Sequence, residues 1–140
     1  MEDDEMMLFQ DMKNEFRVID YSISHGQLLL RSEKCKERKY NIDILFKPVD
    51  TMLLQTTFKG LKISICDSEE KKNYLKEEYN FKIDNNYKIF ELIDSTNKTF
   101  YINAMAMGVY HNQQVTPLET GISRWVEEKP FGENQFWFAG

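Results

Sequence analysis

The feature that most constrains the fold of this chain is a near-regular alternation of apolar and polar side chains over residues 40–47. Successive side chains of a β-strand point to opposite faces, so a period of two predicts a strand with one buried face. The run stops at Pro48, which has no amide hydrogen to donate to a neighbouring strand. The apolar side chains on one face of the run are Tyr40, Ile42, Ile44 and Phe46, and the polar side chains on the other face are Asn41, Asp43 and Lys47.

Similar runs rich in β-branched and aromatic residues predict further strands. They cover residues 16–23, 27–31, 52–58, 61–66, 87–93 and 99–109. Turn-forming residues separate several of them, at His25-Gly26, at Lys59-Gly60 and over residues 94–98. Hairpins join antiparallel neighbours, so the sequence predicts a mainly antiparallel sheet rather than a βαβ arrangement.

One helix is predicted over residues 68–79, which contain no glycine or proline. Asp67 and Glu70 have the spacing of a capping box at its start. Its apolar positions, Tyr74, Leu75 and Tyr79, form a narrow stripe. We expect this stripe to pack on the sheet and the charged side chains to stay in water.

The two ends of the chain have less regular patterns. Residues 1–14 start with acids and then place Met6, Phe9 and Met12 at helix-like spacing, which leaves an N-terminal helix and a flexible acidic tail as alternatives. Residues 118–128 fit a helix or a strand, and residues 135–138 fit a short aromatic strand or a docked tail. We therefore expect one α+β domain over residues 1–140. About seven strands form a mainly antiparallel, curled or barrel-like sheet with one central helix and short terminal helices.

Charge and composition exclude several classes of protein. The 18 basic and 23 acidic residues give a formal charge of −5, which argues against sequence-independent binding of nucleic acid. No apolar run approaches the ~18 residues that a membrane-spanning helix needs. The acidic start differs from a signal peptide, so we expect a cytoplasmic protein. Two cysteines outside any CxxC pair give no support for a disulfide framework or a zinc site, and we expect no metal or cofactor.

Three residues are weak candidates for catalysis. His25 and His111 carry imidazoles that can act as a general base, and Cys35 lies among four basic residues that would stabilise a thiolate. The chain has no GxSxG, GxxxxGK[ST] or GxGxxG motif, and its histidines lack metal-binding spacing. This favours a protein that is not an enzyme. A small hydrolase or metal enzyme built on the two histidines is one alternative.

Aromatic residues near the C-terminus are the stronger candidates, because such side chains often anchor protein interfaces. Trp125, Phe136, Trp137 and Phe138 are the predicted binding residues. The leading hypothesis is a non-enzymatic, intracellular domain that binds a protein partner, in the manner of an inhibitor or an immunity protein. The acidic N-terminus would suit a basic partner, and a homodimer is left open. A second alternative is a barrel that holds an apolar small molecule among Tyr21, Ile44, Phe46, Phe90 and Tyr101.

Overall fold

The computed structural model describes residues 7–84 and 86–112, together with the backbone of residues 136–139. Within these residues the chain forms an α+β fold that consists mainly of antiparallel sheet, as the sequence predicts. The elements are β1 (Met7–Ser22), β2 (Gln27–Ser32), β3 (Asn41–Leu53), β4 (Thr57–Ile65), α1 (Glu69–Tyr79), β5 (Lys88–Ile93), β6 (Thr99–Asn112) and β7 (Phe136–Ala139).

The sheet closes on itself into a barrel. Strands β1, β2 and β3 form one meander, and β4, β5 and β6 form a second. The first strands of the two meanders pair with each other, β1 with β4, and so do their last strands, β3 with β6. Six strands thus form a ring in the order β3-β2-β1-β4-β5-β6. The short β7 pairs with residues 106–109 of β6, beyond the stretch that pairs with β5.

Apolar side chains fill the interior of this barrel. All six strands of the ring contribute to one buried cluster, which explains why alternate positions along each strand are apolar. Aromatic rings meet edge to face across it, with centroids 5.3 Å apart for Phe46 and Phe90 and 5.0 Å apart for Phe58 and Phe100. Each large apolar side chain buried in this way contributes about 1.5–3 kcal/mol to stability.

The helix α1 packs on the outside of the barrel through one buried side chain, Leu75. Leu75 belongs to a separate small cluster with Cys66, Phe81 and Ile89. The chain after the helix is fixed by Asn103 of β6, which is fully buried. Its amide group donates to the carbonyl oxygens of Lys82 and Lys88 at 3.0 Å and accepts from the Lys82 amide at 2.6 Å.

Residues 7–14 lie in β1, where the sequence suggested a helix or a flexible tail. The strand is interrupted by a bulge between Asp11 and Glu15. The Asp11 carboxylate accepts hydrogen bonds from the amides of Lys13 and Asn14, both at 3.1 Å, and so holds the extra residues. Phe9 and Phe16 are seven positions apart, so in a regular strand their side chains would point to opposite faces. The bulge instead brings their rings into edge-to-face contact, with centroids 5.8 Å apart. Residues 1–6 lie outside the described part of the chain.

Further boundaries differ from expectation. The strand predicted to end at Pro48 continues to Leu53, because β6 pairs with β3 on both sides of Pro48, and the strand predicted over residues 52–58 is divided between β3 and β4. The predicted turn at Lys59-Gly60 is absent, because β4 continues through it. The helix is capped by Ser68 rather than Asp67, since the Ser68 hydroxyl accepts a hydrogen bond from the Lys71 amide at 3.2 Å. The expected strand near the C-terminus is present as β7. The ambiguous segment 118–128 lies outside the described residues.

The turn between β5 and β6 is organised by the buried carboxylate of Asp94. One carboxylate oxygen accepts hydrogen bonds from the Thr96 hydroxyl at 2.7 Å and from the amides of Thr96 and Lys98 at 3.0 Å. Burial alone would raise the pKa of Asp94, but these hydrogen bonds and the charge of Lys98 outweigh it and lower the pKa below its ordinary value. The ionised carboxylate therefore stabilises the turn.

We expect Asp94→Asn to lower the free energy of unfolding by about 1–2 kcal/mol at pH 7, the usual cost of weakening hydrogen bonds to a charged group. A lowered pKa in the folded state means that the stabilisation is complete above the unfolded pKa and is lost as the pH falls through the folded pKa. Urea unfolding of both proteins between pH 7 and pH 3 should show the difference shrinking below about pH 4. A difference that stays constant over this range would contradict the assignment.

Candidate functional site

His25 and His111 lie at opposite ends of the barrel. His111 stands opposite Ile42 near the start of β3, whereas the neighbour of His25, Gly26, accepts a hydrogen bond from the Val49 amide at 2.7 Å. Positions 42 and 49 of β3 are about 23 Å apart at roughly 3.3 Å per residue. The His25 ring instead lies beside the hydroxyls of Ser22 and Ser24, at 3.4 and 3.0 Å. The structure does not bring the two histidines together.

Cys35 is exposed in a tight turn between β2 and β3. The turn is closed by backbone hydrogen bonds of 2.8 and 3.2 Å between Cys35 and Arg38. Cys35 borders a cleft of about 300 Å³, and the described lining of that cleft contains neither histidine. The Cys35 thiol therefore has no imidazole beside it in the described lining of the cleft. The described lining residues are Asn14, Glu15, Arg17, Arg31, Ser32, Glu33, Lys34 and Cys35.

His111 has a structural environment. Its ring stacks on that of Tyr40, with centroids 4.6 Å apart. Burial and the nearby charge of Arg38 lower the pKa of His111, although Asp43 opposes this shift, so the imidazole is neutral at pH 7. The Arg38 guanidinium donates to the carbonyl oxygens of Ser32, Glu33 and Tyr40 at 2.8–2.9 Å. Together these contacts hold the loop between β2 and β3 against the barrel.

A buried ion pair lies on the outer side of β2 and β3. Arg31 and Asp43 stand opposite each other, and their side chains are 1% and 0% exposed. The Arg31 Nε and Nη2 atoms donate to the two carboxylate oxygens at 2.7 and 3.0 Å. On the other side of Asp43, Tyr110 of β6 is its partner in the sheet register, and burial raises the pKa of the Tyr110 hydroxyl. The Arg31 and Asp43 side chains are thus almost wholly buried, and Arg31 also lines the cleft beside Cys35.

The described residues offer no metal centre, since no group of three or more His, Cys, Asp or Glu side chains among them could hold an ion. Within the same residues, no helix is long and apolar enough to cross a membrane.

The five residues named for an apolar ligand do not line one cavity. Ile44, Phe46 and Phe90 are fully buried in the packed interior of the barrel. Tyr101 packs against the separate cluster around Leu75, and Tyr21 is 37% exposed.

The C-terminal aromatic residues are only partly covered by the structure. The backbone of β7 places Phe136, Trp137 and Phe138 opposite Val109, Gly108 and Met107 of β6. Trp125 and the acidic residues 2–5 lie outside the described residues.

The outer surface of α1 presents two tyrosines among glutamates. Tyr74 and Tyr79 are 57% and 41% exposed, and their rings meet edge to face with centroids 6.1 Å apart. Glu70, Glu77 and Glu78 are exposed and lie four residues before, and three and four residues after, Tyr74, so they flank its ring. A hydrogen bond with Tyr79, the charge of Tyr79, burial and the charge of Glu78 all raise the pKa of Tyr74. We call these five residues the acidic tyrosine surface.

This surface corrects the predicted packing of the helix. The sequence suggested that Tyr74, Leu75 and Tyr79 all pack on the sheet, but only Leu75 is buried. The signal was present in the sequence, because Tyr74 and Leu75 are adjacent and therefore about 100° apart around the helix axis. Leu75 contacts the barrel and leaves the ring of Tyr74 in solvent.

Among the described residues, the acidic tyrosine surface combines two exposed aromatic rings with three exposed glutamates. Neither the histidines nor Cys35 forms a comparable group with a second reactive side chain. The case for a function rests on these side chains themselves, because no family model, no curated protein and no solved structure matches this chain.

Proposed function

We propose that this protein is a non-enzymatic, intracellular protein-binding domain that contacts its partner through the acidic tyrosine surface of α1. The observation that carries this proposal is the pair of exposed, touching rings of Tyr74 and Tyr79. Tyrosine is enriched among the residues that dominate binding energy, because its rigid ring buries a large area at a small cost in conformational entropy.

The helix is fixed firmly enough to serve as a preformed binding surface. Ser68 caps its first turn, and Asn80 ends it in the left-handed conformation with φ 61°. Lys71 of the helix makes an ion pair of 3.2 Å with Glu91 of β5, whose side chain is 4% exposed. A surface that is ordered before binding loses less entropy when the partner arrives.

An inhibitor or immunity-type role is the form of binding that we favour. A rigid surface can block a target by covering its functional site, and this needs no catalytic group on the blocking protein. Charge complementarity adds speed and specificity to such an encounter. The acidic character of the surface supports a target whose site is basic.

We expect Tyr74→Ala/Tyr79→Ala to weaken partner binding by at least about 2 kcal/mol, or roughly 30-fold, the effect typical of truncated anchor residues. Affinity capture from the source cells identifies the candidate partner, and titration calorimetry with the purified partner measures the loss. Because both rings are exposed, urea unfolding should change by no more than about 0.5 kcal/mol.

The matched control is Tyr21→Ala/Ile23→Ala, which removes side chains that are 37% and 85% exposed on the hairpin between β1 and β2. The control should bind the partner like the wild type. Equal binding by all three proteins, or loss only in the control, would refute the proposal that α1 is the docking surface.

A further inference from the structure

We infer that the partner segment seated on the acidic tyrosine surface is basic and presents arginine side chains to it. This inference rests on the proposed function and adds the chemistry of the partner. It is carried by the distribution of charge on α1 and by the way the exposed rings and carboxylates are interleaved.

Two of the three lysines of the helix are paired with acids outside the surface, and the third, Lys76, forms no ion pair with Glu70, Glu77 or Glu78 in the described part of the chain. Lys71 is paired with Glu91, and Lys72 is paired with Glu69 at 3.2 Å. Across the described residues, no ion pair joins Glu70, Glu77 or Glu78 to a basic group. Three negative charges and one positive charge, that of Lys76, therefore lie around Tyr74 and Tyr79, so the surface keeps a local excess of negative charge.

This charge distribution discriminates between classes of partner. A purely apolar partner would bury the three carboxylates without any compensating interaction, which is costly. An acidic partner would be repelled by them. A basic partner pairs with the carboxylates while its aliphatic stems cover the rings.

Arginine fits better than lysine for a geometric reason. A planar guanidinium can stack on a tyrosine ring and donate in its own plane to a carboxylate beside that ring. The protein already places cations near tyrosine rings elsewhere. The Lys82 ammonium lies 5.0 Å from the Tyr87 ring centroid, and the Arg38 guanidinium lies 5.7 Å from that of Tyr40.

The test is a titration of the ¹⁵N-labelled full chain with three synthetic peptides of equal length, (Arg-Gly)₆, (Lys-Gly)₆ and (Glu-Gly)₆. We expect (Arg-Gly)₆ to shift the amide resonances of residues 69–80 and to bind more tightly than (Lys-Gly)₆, and (Glu-Gly)₆ to cause no shift there. The variant Glu70→Gln/Glu77→Gln/Glu78→Gln should bind (Arg-Gly)₆ about tenfold more weakly. Raising the ionic strength from 0.05 to 0.5 M should weaken wild-type binding, because salt screens exposed charges.

The matched control, Glu15→Gln/Glu33→Gln/Glu37→Gln, removes the same number of exposed acids near the loop between β2 and β3. It should behave like the wild type. Shifts centred outside α1, or equal loss of affinity in both triple variants, would overturn the inference and leave only a general attraction to an acidic protein. If Tyr74→Ala/Tyr79→Ala loses the cellular partner and the α1 triple variant keeps it at full affinity, the proposed function stands and the basic partner is excluded.

Discussion

Replacing Arg31 with methionine is expected to lower the free energy of unfolding by about 3–5 kcal/mol, the usual cost of removing one member of a buried ion pair. The substitution keeps an unbranched chain and removes the hydrogen bonds that the Arg31 Nε and Nη2 atoms donate to Asp43. The carboxylate left behind is 0% exposed and cannot recover its hydration. Urea unfolding monitored by circular dichroism measures the loss.

The double variant Arg31→Met/Asp43→Leu is the control for this prediction. It removes both charges together, so it should be more stable than the single variant by at least about 1 kcal/mol, because buried pairs can often be replaced by apolar side chains at small net cost. A single variant that loses less than about 1 kcal/mol would show that the carboxylate gains water or another cation.

Gly60→Ala is expected to cost about 3 kcal/mol or more. Gly60 lies in β4 with φ +81°, a conformation that other residues adopt at a cost of about 1–2 kcal/mol. A methyl group there would also lie 2.8 Å from the Met12 carbonyl oxygen and 2.9 Å from the Met12 Cα. Both atoms belong to backbone within the β1 bulge, so the clash can be relieved only by moving paired strands. The same urea experiment measures the change.

Gly26→Ala offers a graded comparison. Gly26 also has positive φ, +62°, but its added methyl group would meet its nearest atom, the Val49 amide nitrogen, at 3.2 Å. We expect this variant to lose about 1 kcal/mol, mainly from the backbone conformation. Equal losses at the two glycines would mean that the close approach of β1 to Gly60 is relieved without strain.

The fold could be predicted from the sequence where apolar and polar side chains alternate regularly along a strand. Residues 42, 44 and 46 alternate with 41, 43 and 45 in β3, and the barrel buries the first set in its interior. The period fails where local geometry breaks it. The Asp11 bulge places Phe9 and Phe16 on one side, and Gly60 permits close packing rather than a turn. Both effects depend on a partner strand that the local sequence does not specify.

The candidate site was harder to predict because residue type says little about exposure. Histidines and a cysteine attract attention for their chemistry, yet His111 is stacked on Tyr40, and neither histidine is in the described lining of the cleft beside Cys35. Tyr74 and Tyr79 resemble ordinary buried residues of an amphipathic helix. Their exposure follows from how α1 is seated on Leu75, a tertiary contact with Ile89 and Phe81 that lie beyond the helix in sequence.

The closure of the barrel has a consequence for how fast the protein folds. Its two closing interfaces join distant parts of the chain, since Met7 pairs with Ser64 and Asn41 pairs with Asn112. To form either interface, the long stretch of chain between the two strands must first lose conformational entropy, before their contacts can stabilise the barrel. Domains dominated by such non-local pairing fold in milliseconds to seconds, far more slowly than helical bundles of similar size. The strands β1 to β3 can form from hairpins that are local in sequence, and so can β5 and β6, so the closing of the barrel between β1 and β4 and between β3 and β6 is the expected rate-limiting event.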